Sequence, residues 1–368
     1  MSQSVTFDEG DLALIEALQV APRAPWSALS AAIGVTPATA VRRWQRLLDA
    51  GAAWVTGTPG RGIWAESCLA YIDITCAPTA KLSVAEQLAA DPHALSVDLT
   101  SGGSDLFVTV ATPDLRTLAR YLLERLDRMP GIASSRTRIA TRVHTEGSSW
   151  RLGVLSSDRL TALQQWRTGG LSETGSTLTP KDRDLLVALG LDGRASYIAL
   201  AEAGAVSAAT AKRRTDNLLE SGAVLLRTEL ATPLAGWPVS VILSGHAPAA
   251  RLDEVARTLG RLRPVRLCAT LAGTPSLVLV AWLHTVDDVH RFELSLARGV
   301  ADLDIIDRRV VLRSVKRMGR LLSEDGRAIG VVPMDIWVDP VGGIRPTSQD
   351  QERQHRSTDS WHQVAASG

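Results

Sequence analysis

The chain has 368 residues, of which 45% are hydrophobic, so it is long enough for two to four domains with apolar cores. Its 40 basic and 39 acidic residues nearly cancel, so only local basic clusters can indicate a nucleic-acid partner. The three cysteines form no closely spaced pair, which argues against a zinc knuckle or a disulfide framework, and we expect no metal and no cofactor. Without a leader or an apolar run of membrane-spanning length, the sequence predicts a cytoplasmic protein with no membrane contact.

The first fifty residues predict three helices. Asp8 or Asp11 caps the first helix, which runs to about Val20. Pro25 stands where a second helix can begin. Gly34 then supplies a tight turn, because glycine adopts positive φ without steric cost.

The third predicted helix carries the basic residues. Thr36 is its N-cap, Pro37 occupies its first position, and Gly51 ends it. The side chains that should pack inward are those of Ala40, Trp44, Leu47 and Leu48. The opposite side presents Thr39, Arg42, Arg43 and Arg46. Two short helices, a turn and an exposed basic third helix are typical of a helix-turn-helix. The alternative is an ordinary solvated helix face.

The next eighty residues predict a ferredoxin-like domain. A connecting strand at 52–56 and a turn at 58–62 precede it. Strands and helices then follow in the order β-α-β-β-α-β, at residues 69–75, 80–91, 93–100, 106–111, 113–129 and 132–143.

Residues 144–177 form a predicted connection with a short helix at 157–167 and a flexible, glycine- and serine-rich end at 169–176. Residues 339–368 are polar and predict disorder.

The chain repeats itself. A shift of 171 aligns residues 7–57 with 178–228, and a shift of 170 aligns the sensor parts, so that residues 239–314 repeat the β-α-β-β-α-β order. The second basic helix presents Ser207, Thr210, Lys212, Arg213 and Arg214. It also carries Asp216, which would repel phosphate and weaken this copy.

The predicted fold class is α+β, with two three-helix, winged-type helix-turn-helix domains that alternate with two ferredoxin-like sensor domains. The predicted boundaries are 1–57, 58–145, a linker at 146–177, 178–228, 229–320 and a partly disordered tail at 321–368.

Over residues 7–143, and more loosely over 178–315, the chain resembles the Lrp/AsnC family of prokaryotic transcription regulators. The resemblance rests on four groups of residues: Asp11, Leu14, Ile15 and Leu18; Leu29, Ile33, Gly34, Val35 and Thr36; Arg43, Arg46, Leu47 and Gly51; Thr100, Gly102, Gly103, Ser104 and Asp105.

The resemblance implies subunits that pair through their sensor sheets, and a homo-oligomer of dimer size or larger. It also implies an effector, such as an amino acid or a related small molecule, bound near a glycine loop. The implied effector residues are Thr100, Gly102, Gly103, Ser104, Asp105, Gly273 and Thr274. In the second loop Pro275 replaces the aspartate, and Asp105 has the alternative role of capping a turn.

The predicted function is sequence-specific binding to double-stranded DNA. The residues expected to contact DNA are Thr36, Pro37, Thr39, Arg42, Arg43, Arg46, Ser207, Thr210, Lys212, Arg213 and Arg214. If the sensors pair across a pseudo-two-fold axis, the two helices face successive major grooves, about 34–36 Å apart. Because the helices differ, the operator should be an imperfect palindrome.

Two alternatives stay open. Siroheme decarboxylases resemble this family and use histidine and arginine after the third helix; residues 55–68 contain Arg61 but no histidine, and no other catalytic signature appears. The other alternative is a small-molecule sensor that does not bind DNA, against which the basic residues of both third helices argue.

Overall fold

A computed structural model describes residues 6–167 and 178–342. The helices and strands of the first half are α1 Glu9–Val20, α2 Trp26–Ile33, α3 Pro37–Asp49, β1 Ala53–Pro59, α4 Arg61–Glu66, β2 Cys68–Cys76, α5 Lys81–Ala89, β3 Ala94–Thr100, β4 Leu106–Thr112, α6 Leu115–Arg120 with a π-helical turn Tyr121–Leu126, β5 Ile132–Thr145 and α7 Ser157–Leu163. Those of the second half are α8 Pro180–Leu191, α9 Tyr197–Ala203, α10 Ala208–Glu220, β6 Val224–Leu230, β7 Val239–His246, α11 Leu252–Leu259, β8 Val265–Leu271, β9 Leu277–Leu283, α12 Asp287–Gly299, β10 Asp304–Arg317, β11 Arg320–Leu322 and β12 Ala328–Val331. None of the helices described is long and apolar enough to span a membrane.

Local capping explains where the first three helices begin and end. Asp8 caps α1 in a reciprocal capping box with Asp11, which makes both candidate caps part of one motif. Gly34 ends α2 at a φ of 75°, and Thr36 caps α3. Leu48 was predicted to pack inward, but it is 39% exposed because it lies at the edge of the buried face of α3.

In the second helix-turn-helix, the residue with positive φ in the turn is not a glycine. Gly204 has an ordinary φ of −84°, whereas Ala205, which aligns with Gly34, has a φ of 46°. An L-residue in the left-handed region costs about 1 kcal/mol relative to glycine. The second turn is therefore strained where the first is not.

The eight strands of the two sensor domains form one closed ring of pairings. Strand β5 pairs with β2 of its own half and β8 of the other, while β10 pairs with β7 and β3. The ring runs β10-β3-β4-β2-β5-β8-β9-β7 and returns to β10. Each last strand thus crosses between halves, and the predicted α+β class with two ferredoxin-like domains is confirmed.

The hydrogen bonds of the two sensors show that one shift of 171 relates the halves throughout. The amide of Thr100 donates to the carbonyl of Asp105 at 2.9 Å, and the amide of Leu271 donates to that of Ser276 at 2.8 Å. The predicted shift of 170 was wrong by one residue, and such a slip exchanges the two faces of every strand. Ser276, not Pro275, therefore stands where the first half has Asp105.

The two helix-turn-helix units contact each other across the same pseudo-two-fold axis. Arg23 donates to the carbonyls of Gly193 and Ala195 at 2.9 and 3.0 Å. Arg194, its counterpart, donates to the carbonyls of Pro22 and Ala24. Strands β1 and β6 also pair antiparallel over seven residues each. The two units share a hydrophobic core that includes α1 and α8.

Part of the predicted turn and linker is regular and packed. Residues 58 and 59 belong to β1 and residues 61–66 form α4, so the turn predicted at 58–62 was wrong. In the connection, the apolar side chains of Trp150, Leu152, Leu155 and Leu163 are buried in the core of the helix-turn-helix units. The side chains of Glu16 and Gln19 on α1 also accept hydrogen bonds from the backbone of this connection. The glycine-rich stretch predicted to be flexible lies outside the described residues.

The predicted tail also begins too early. Strands β11 and β12 form a hairpin, and Met334 and Ile336 are 6% and 0% exposed between the two sensor sheets. These two side chains pack in one apolar cluster with residues of both sensor domains. Residues 343–368 lie outside the described part of the chain.

Candidate DNA-binding and effector sites

The N-terminal end of α3 presents a small exposed polar surface. Thr36 and Thr39 share a hydroxyl hydrogen bond of 2.9 Å at the helix start. Arg42 is exposed, and within residues 6–167 and 178–342 it forms no hydrogen bond or ion pair. Pro37 is exposed beside them. Thr36, Thr39 and Arg42 are spaced three residues apart and lie on one side of the helix start, where a groove-bound helix N-terminus meets base edges and phosphates.

The other two predicted arginines of α3 are held by α1. Arg43 Nη1 lies 2.7 Å from a carboxylate oxygen of Asp8 and 3.0 Å from one of Asp11, and Arg46 Nη2 lies 2.5 Å from Asp11. The hydrogen bond from Arg43 lowers the pKa of Asp8. The ion pairs fasten the recognition helix to the first helix, so Arg43 and Arg46 support the fold of this unit.

In the second unit, too, one arginine of the third helix is paired with the first helix and its neighbour is exposed. Arg214, the counterpart of Arg43, lies 2.8 Å from Asp182, the counterpart of Asp11. Arg213 is exposed like Arg42 and has no hydrogen-bond or ion-pair partner in the described parts of the chain.

Asp216 acts on its own helix in a way the sequence did not reveal. It accepts from the hydroxyl of Tyr197 at 2.8 Å and lies 2.5 Å from Lys212 Nζ. The pair removes Lys212 as a free cation and neutralises Asp216. Ser207 caps the helix, with its hydroxyl 3.0 Å from that of Thr210.

The β11–β12 hairpin flanks α3, and no equivalent hairpin lies at α10 within residues 6–167 and 178–342. The amide of Ala328 donates to the carbonyl of Gly51 at 2.8 Å, and a side chain at Gly51 would collide with the Ala328 carbonyl. At α10, the position of Gly51 is taken by Gly222, against which Gly60 packs. The two recognition helices therefore lie in different surroundings.

The first glycine loop is fastened to the other half of the chain. The amide of Ser101 donates to the carbonyl of Val310 at 2.9 Å, and Arg309 donates to the hydroxyl of Ser104 at 2.9 Å. Arg309 also binds Asp73 and is 2% exposed. Thr100 donates its hydroxyl to the Ser104 carbonyl at 2.9 Å.

Asp105 closes this loop. Its carboxylate accepts from the amide of Cys76 at 2.8 Å and lies 2.5 Å from Lys81 Nζ. Burial raises its pKa, but these two partners outweigh that effect and the pKa is lowered. The Asp105 carboxylate therefore fastens the loop to the connection between β2 and α5 and does not cap its own turn by these contacts. By contrast, Gly103 has open space where a side chain would lie.

The second glycine loop repeats the arrangement. The amide of Ala272 donates to the carbonyl of Ile139 at 2.9 Å, and Ser276 accepts from the amide of Ala247 at 3.2 Å. Gly273, at a φ of 109°, has open space at the position of a side chain. Thr274 follows it in the loop. Each loop thus rests on the last sensor strand of the opposite half.

Arg61 has a histidine neighbour that sequence proximity did not show. Its Nη2 donates to the carbonyl of His144 at 3.0 Å, and both residues line one cavity. The two positions lie far apart in sequence, at the start of α4 and near the end of β5, so only the fold brings them together.

Known proteins match this architecture in sequence and in fold. The family model of the AsnC-type helix-turn-helix domain matches residues 7–48, and that of the Lrp/AsnC ligand binding domain matches residues 69–150. An uncharacterised HTH-type transcriptional regulator of Pyrococcus horikoshii is 31% identical over 151 residues, which are 40% of this chain and 93% of that protein. Another of Pyrococcus abyssi is 32% identical over 151 residues, with the same shares of 40% and 93%. The crystal structure of the siroheme decarboxylase NirDL covers 88% of this chain and 95% of its own, with a TM-score of 0.55 and 13% identity.

A helix-turn-helix head joined to a ligand-binding sensor defines a class of transcription regulators, and here the unit occurs twice. The chain belongs to the Lrp/AsnC family. Each of these two relatives aligns with 40% of this chain, whereas 93% of the relative is aligned. The difference arises because one polypeptide here carries two copies of the family unit. The likeness to NirDL shows that the two-unit fold exists elsewhere, and at 13% identity it shows the fold alone.

Proposed function

We propose that this chain binds one DNA site with both of its helix-turn-helix units and regulates transcription in response to a small molecule. The observation that carries the proposal is the reciprocal contact of Arg23 and Arg194. It relates the two units by a pseudo-two-fold axis, as a two-fold DNA-binding dimer requires. A DNA-binding role also implies a cytoplasmic location.

Arg42 and Arg213 are the side chains that we propose contact DNA. Both are exposed, and neither is engaged elsewhere within residues 6–167 and 178–342. A guanidinium group can bridge two acceptors of guanine or bind a phosphate. Thr36, Thr39, Ser207 and Thr210 lie at the helix starts, where hydroxyl groups reach the DNA backbone.

We propose that the effector is an amino acid or a related small molecule that binds beside a glycine loop. The match of residues 69–150 to a ligand binding domain supports a ligand of this kind. Because each loop rests on the opposite half, a ligand there would change how the halves sit together. Such a ligand regulates only if it binds the DNA-competent arrangement with different affinity. Further pairing of whole chains through the sensor domains belongs to the same proposal.

The test is a fluorescence-anisotropy titration of the full chain with its own upstream DNA at several salt concentrations. We expect Arg42→Ala and Arg213→Ala each to weaken specific binding about tenfold or more, since one base-reading pair contributes about 1–3 kcal/mol. The control is Arg291→Ala, whose side chain is 71% exposed on α12.

A variant of Arg43 separates the two roles of the arginines. Arg43→Ala should lower the melting temperature, because it leaves Asp11 buried without this partner. If Arg42→Ala and Arg213→Ala bind as wild type while the promoter DNA is bound no better than random DNA, the DNA-binding proposal is wrong for that promoter.

We further propose that the chain is not an enzyme, with a siroheme-decarboxylase-like activity as the second candidate. The meeting of Arg61 and His144, together with the fold likeness to NirDL, favours that candidate. Against it, the cavity that they line has a volume of about 290 Å³, which is small for a tetrapyrrole. A stoichiometric shift of the absorption spectrum of an iron-uroporphyrin III analogue on titration with the protein would favour the enzyme.

A further inference from the structure

A cavity of about 290 Å³ lies on the seam between the two halves of the chain. It is distinct from both glycine loops. The start of α4 and the end of β5 form one wall, and α11 of the second half forms the other. Its lining residues are Arg61, Arg142, Val143, His144, Asp253 and Arg257.

Two of the arginines are fixed in place by backbone carbonyl groups. Arg61 Nη2 donates to the carbonyl of His144 at 3.0 Å, and Arg257 Nε donates to the carbonyl of Asp253 at 3.1 Å. Because a guanidinium group has five N–H donors in a planar fork, each contact orients the group and leaves donors for a ligand.

The side chain of His144 lines the same cavity as these arginines. Its side chain is 4% exposed, and its Nε2 has no hydrogen-bond partner within the described residues. Asp253 Oδ1 is 3.7 Å from this nitrogen, beyond hydrogen-bond distance. Burial lowers the pKa of His144 and the three arginines lower it further, against the opposing effect of Asp253, so the ring is neutral at pH 7. A buried polar nitrogen without a partner is costly unless a ligand or water meets it.

The charges that line the cavity suit an anion. Three guanidinium groups face one carboxylate, Asp253, which also lies 3.6 Å from Arg142. The oriented guanidinium groups of Arg61 and Arg257 can each bind one carboxylate, which suits a ligand that carries two, and the volume is close to the lower limit for small-molecule sites.

The other seam of the pseudo-symmetric chain lacks this constellation. A shift of 171 places Thr232 opposite Arg61, Val315 opposite His144 and Leu82 opposite Asp253. It places Glu86 opposite Arg257, which reverses the charge there. If the fold itself required these residues, they would occur at both seams. Arg142 has the arginine counterpart Arg313, whereas Arg61, His144 and Arg257 have no like counterpart at the other seam, which indicates a role specific to this cavity.

We propose that the seam cavity binds one small dicarboxylate per chain, with its two carboxylates on Arg61 and Arg257 and one oxygen at His144 Nε2. The ligand would join α4 and β5 of the first half to α11 of the second. It would therefore act on the contact between halves, at a place separate from the glycine loops.

The test is isothermal titration calorimetry of the full chain at pH 7 with succinate and glutarate, and with acetate as the monocarboxylate control. We expect saturable binding of one dicarboxylate per chain and no saturable binding of acetate. Absence of binding heat for both dicarboxylates up to about 10 mM, a range that corresponds to negligible affinity, would overturn the proposal.

Two variants with opposite expected effects on dicarboxylate affinity test whether binding occurs in this cavity. Arg257→Gln should weaken binding at least tenfold, since it removes a charge-assisted hydrogen bond. Asp253→Asn should tighten it several-fold by removing the single negative charge, a gain that a misfolded variant would not give. Arg291→Gln on the exposed face of α12 should leave it unchanged. Unchanged binding in Arg257→Gln, weaker binding in Asp253→Asn, or an equal loss in Arg291→Gln would each overturn the assignment.

Discussion

Adjacent residues of the recognition helices do different work. Arg42 faces outward without a partner in the described chain, whereas Arg43 is fastened to Asp8 and Asp11. The same alternation recurs at Arg213 and Arg214. Successive residues of an α-helix are about 100° apart around its axis, so the two arginines of such a pair do not face the same surface. A double substitution of such a pair would mix a loss of DNA contacts with a loss of stability.

Lys316 offers a prediction at the residue scale. It is fully buried in β10, where Nζ donates to the carbonyl of Asp91 at 2.7 Å, and burial lowers its pKa from 10.5 to about 7 despite the nearby Asp91 carboxylate. From pH 7 to about 10 the unfolded chain binds a proton that the folded chain lacks, so wild-type stability rises with pH. We expect Lys316→Met to be more stable than wild type at pH 7, with a difference that shrinks by pH 9.5.

Urea unfolding of both proteins at the two pH values measures this difference. A stability difference that stays the same at both pH values would show that the lysine keeps its ordinary pKa in the fold.

At the scale of elements, the segment after β5 acts as a strap across the first helix. The carboxylate of Glu16 accepts from the amides of Gly153, Val154 and Leu155 at 2.8, 2.6 and 2.6 Å. Arg263, just before β8, donates to the carbonyl of Leu152 at 3.0 Å. Helix α1 is thereby connected to the second sensor through a segment that has little regular structure of its own.

We predict that Glu16→Gln lowers the free energy of unfolding by about 1–3 kcal/mol, because an amide NH₂ cannot accept from the N–H donors of this segment, of which that of Leu155 is buried. Glu9→Gln, an exposed change in the first turn of the same helix, is the matched control. The comparison uses urea unfolding of the full chain. Equal stability of the two variants would mean that the strap amides find other acceptors.

The whole molecule is a covalent pseudo-dimer with unequal halves. The closed ring of sensor strands and the paired β1 and β6 strands relate the halves. In the described part of the chain the β11–β12 hairpin lies beside α3 and not beside α10, and the Asp216–Lys212 pair lies on α10 and has no counterpart on α3. The fusion frees each half from the requirement of identity that a homodimer imposes.

We therefore predict that one chain occupies an imperfect palindrome and that base changes in its two half-sites have unequal costs. The half-site read by α3 should be the more sensitive, because α10 loses Lys212 to Asp216. Footprinting with each half-site mutated in turn, together with sedimentation of the complex for stoichiometry, measures both points. A symmetric site with equal penalties would contradict this asymmetry.

Local signals and the repeat were readable from the sequence. The caps at Thr36 and Ser207 and the turn at Gly34 depend on residues a few positions apart, and their chemistry is local. The repeat implied two like units, and the α+β class followed from the order of elements.

Only the tertiary structure decided which distant groups meet. In the fold, Arg43 pairs with Asp8 and Asp11, which are more than thirty positions away in the sequence, and Arg61 contacts His144. It also fixed the one-residue register of the second sensor and buried Ile336 of the predicted tail. Strand register and ion pairing are set by contacts between segments far apart in the chain, and no pattern within a single segment encodes them.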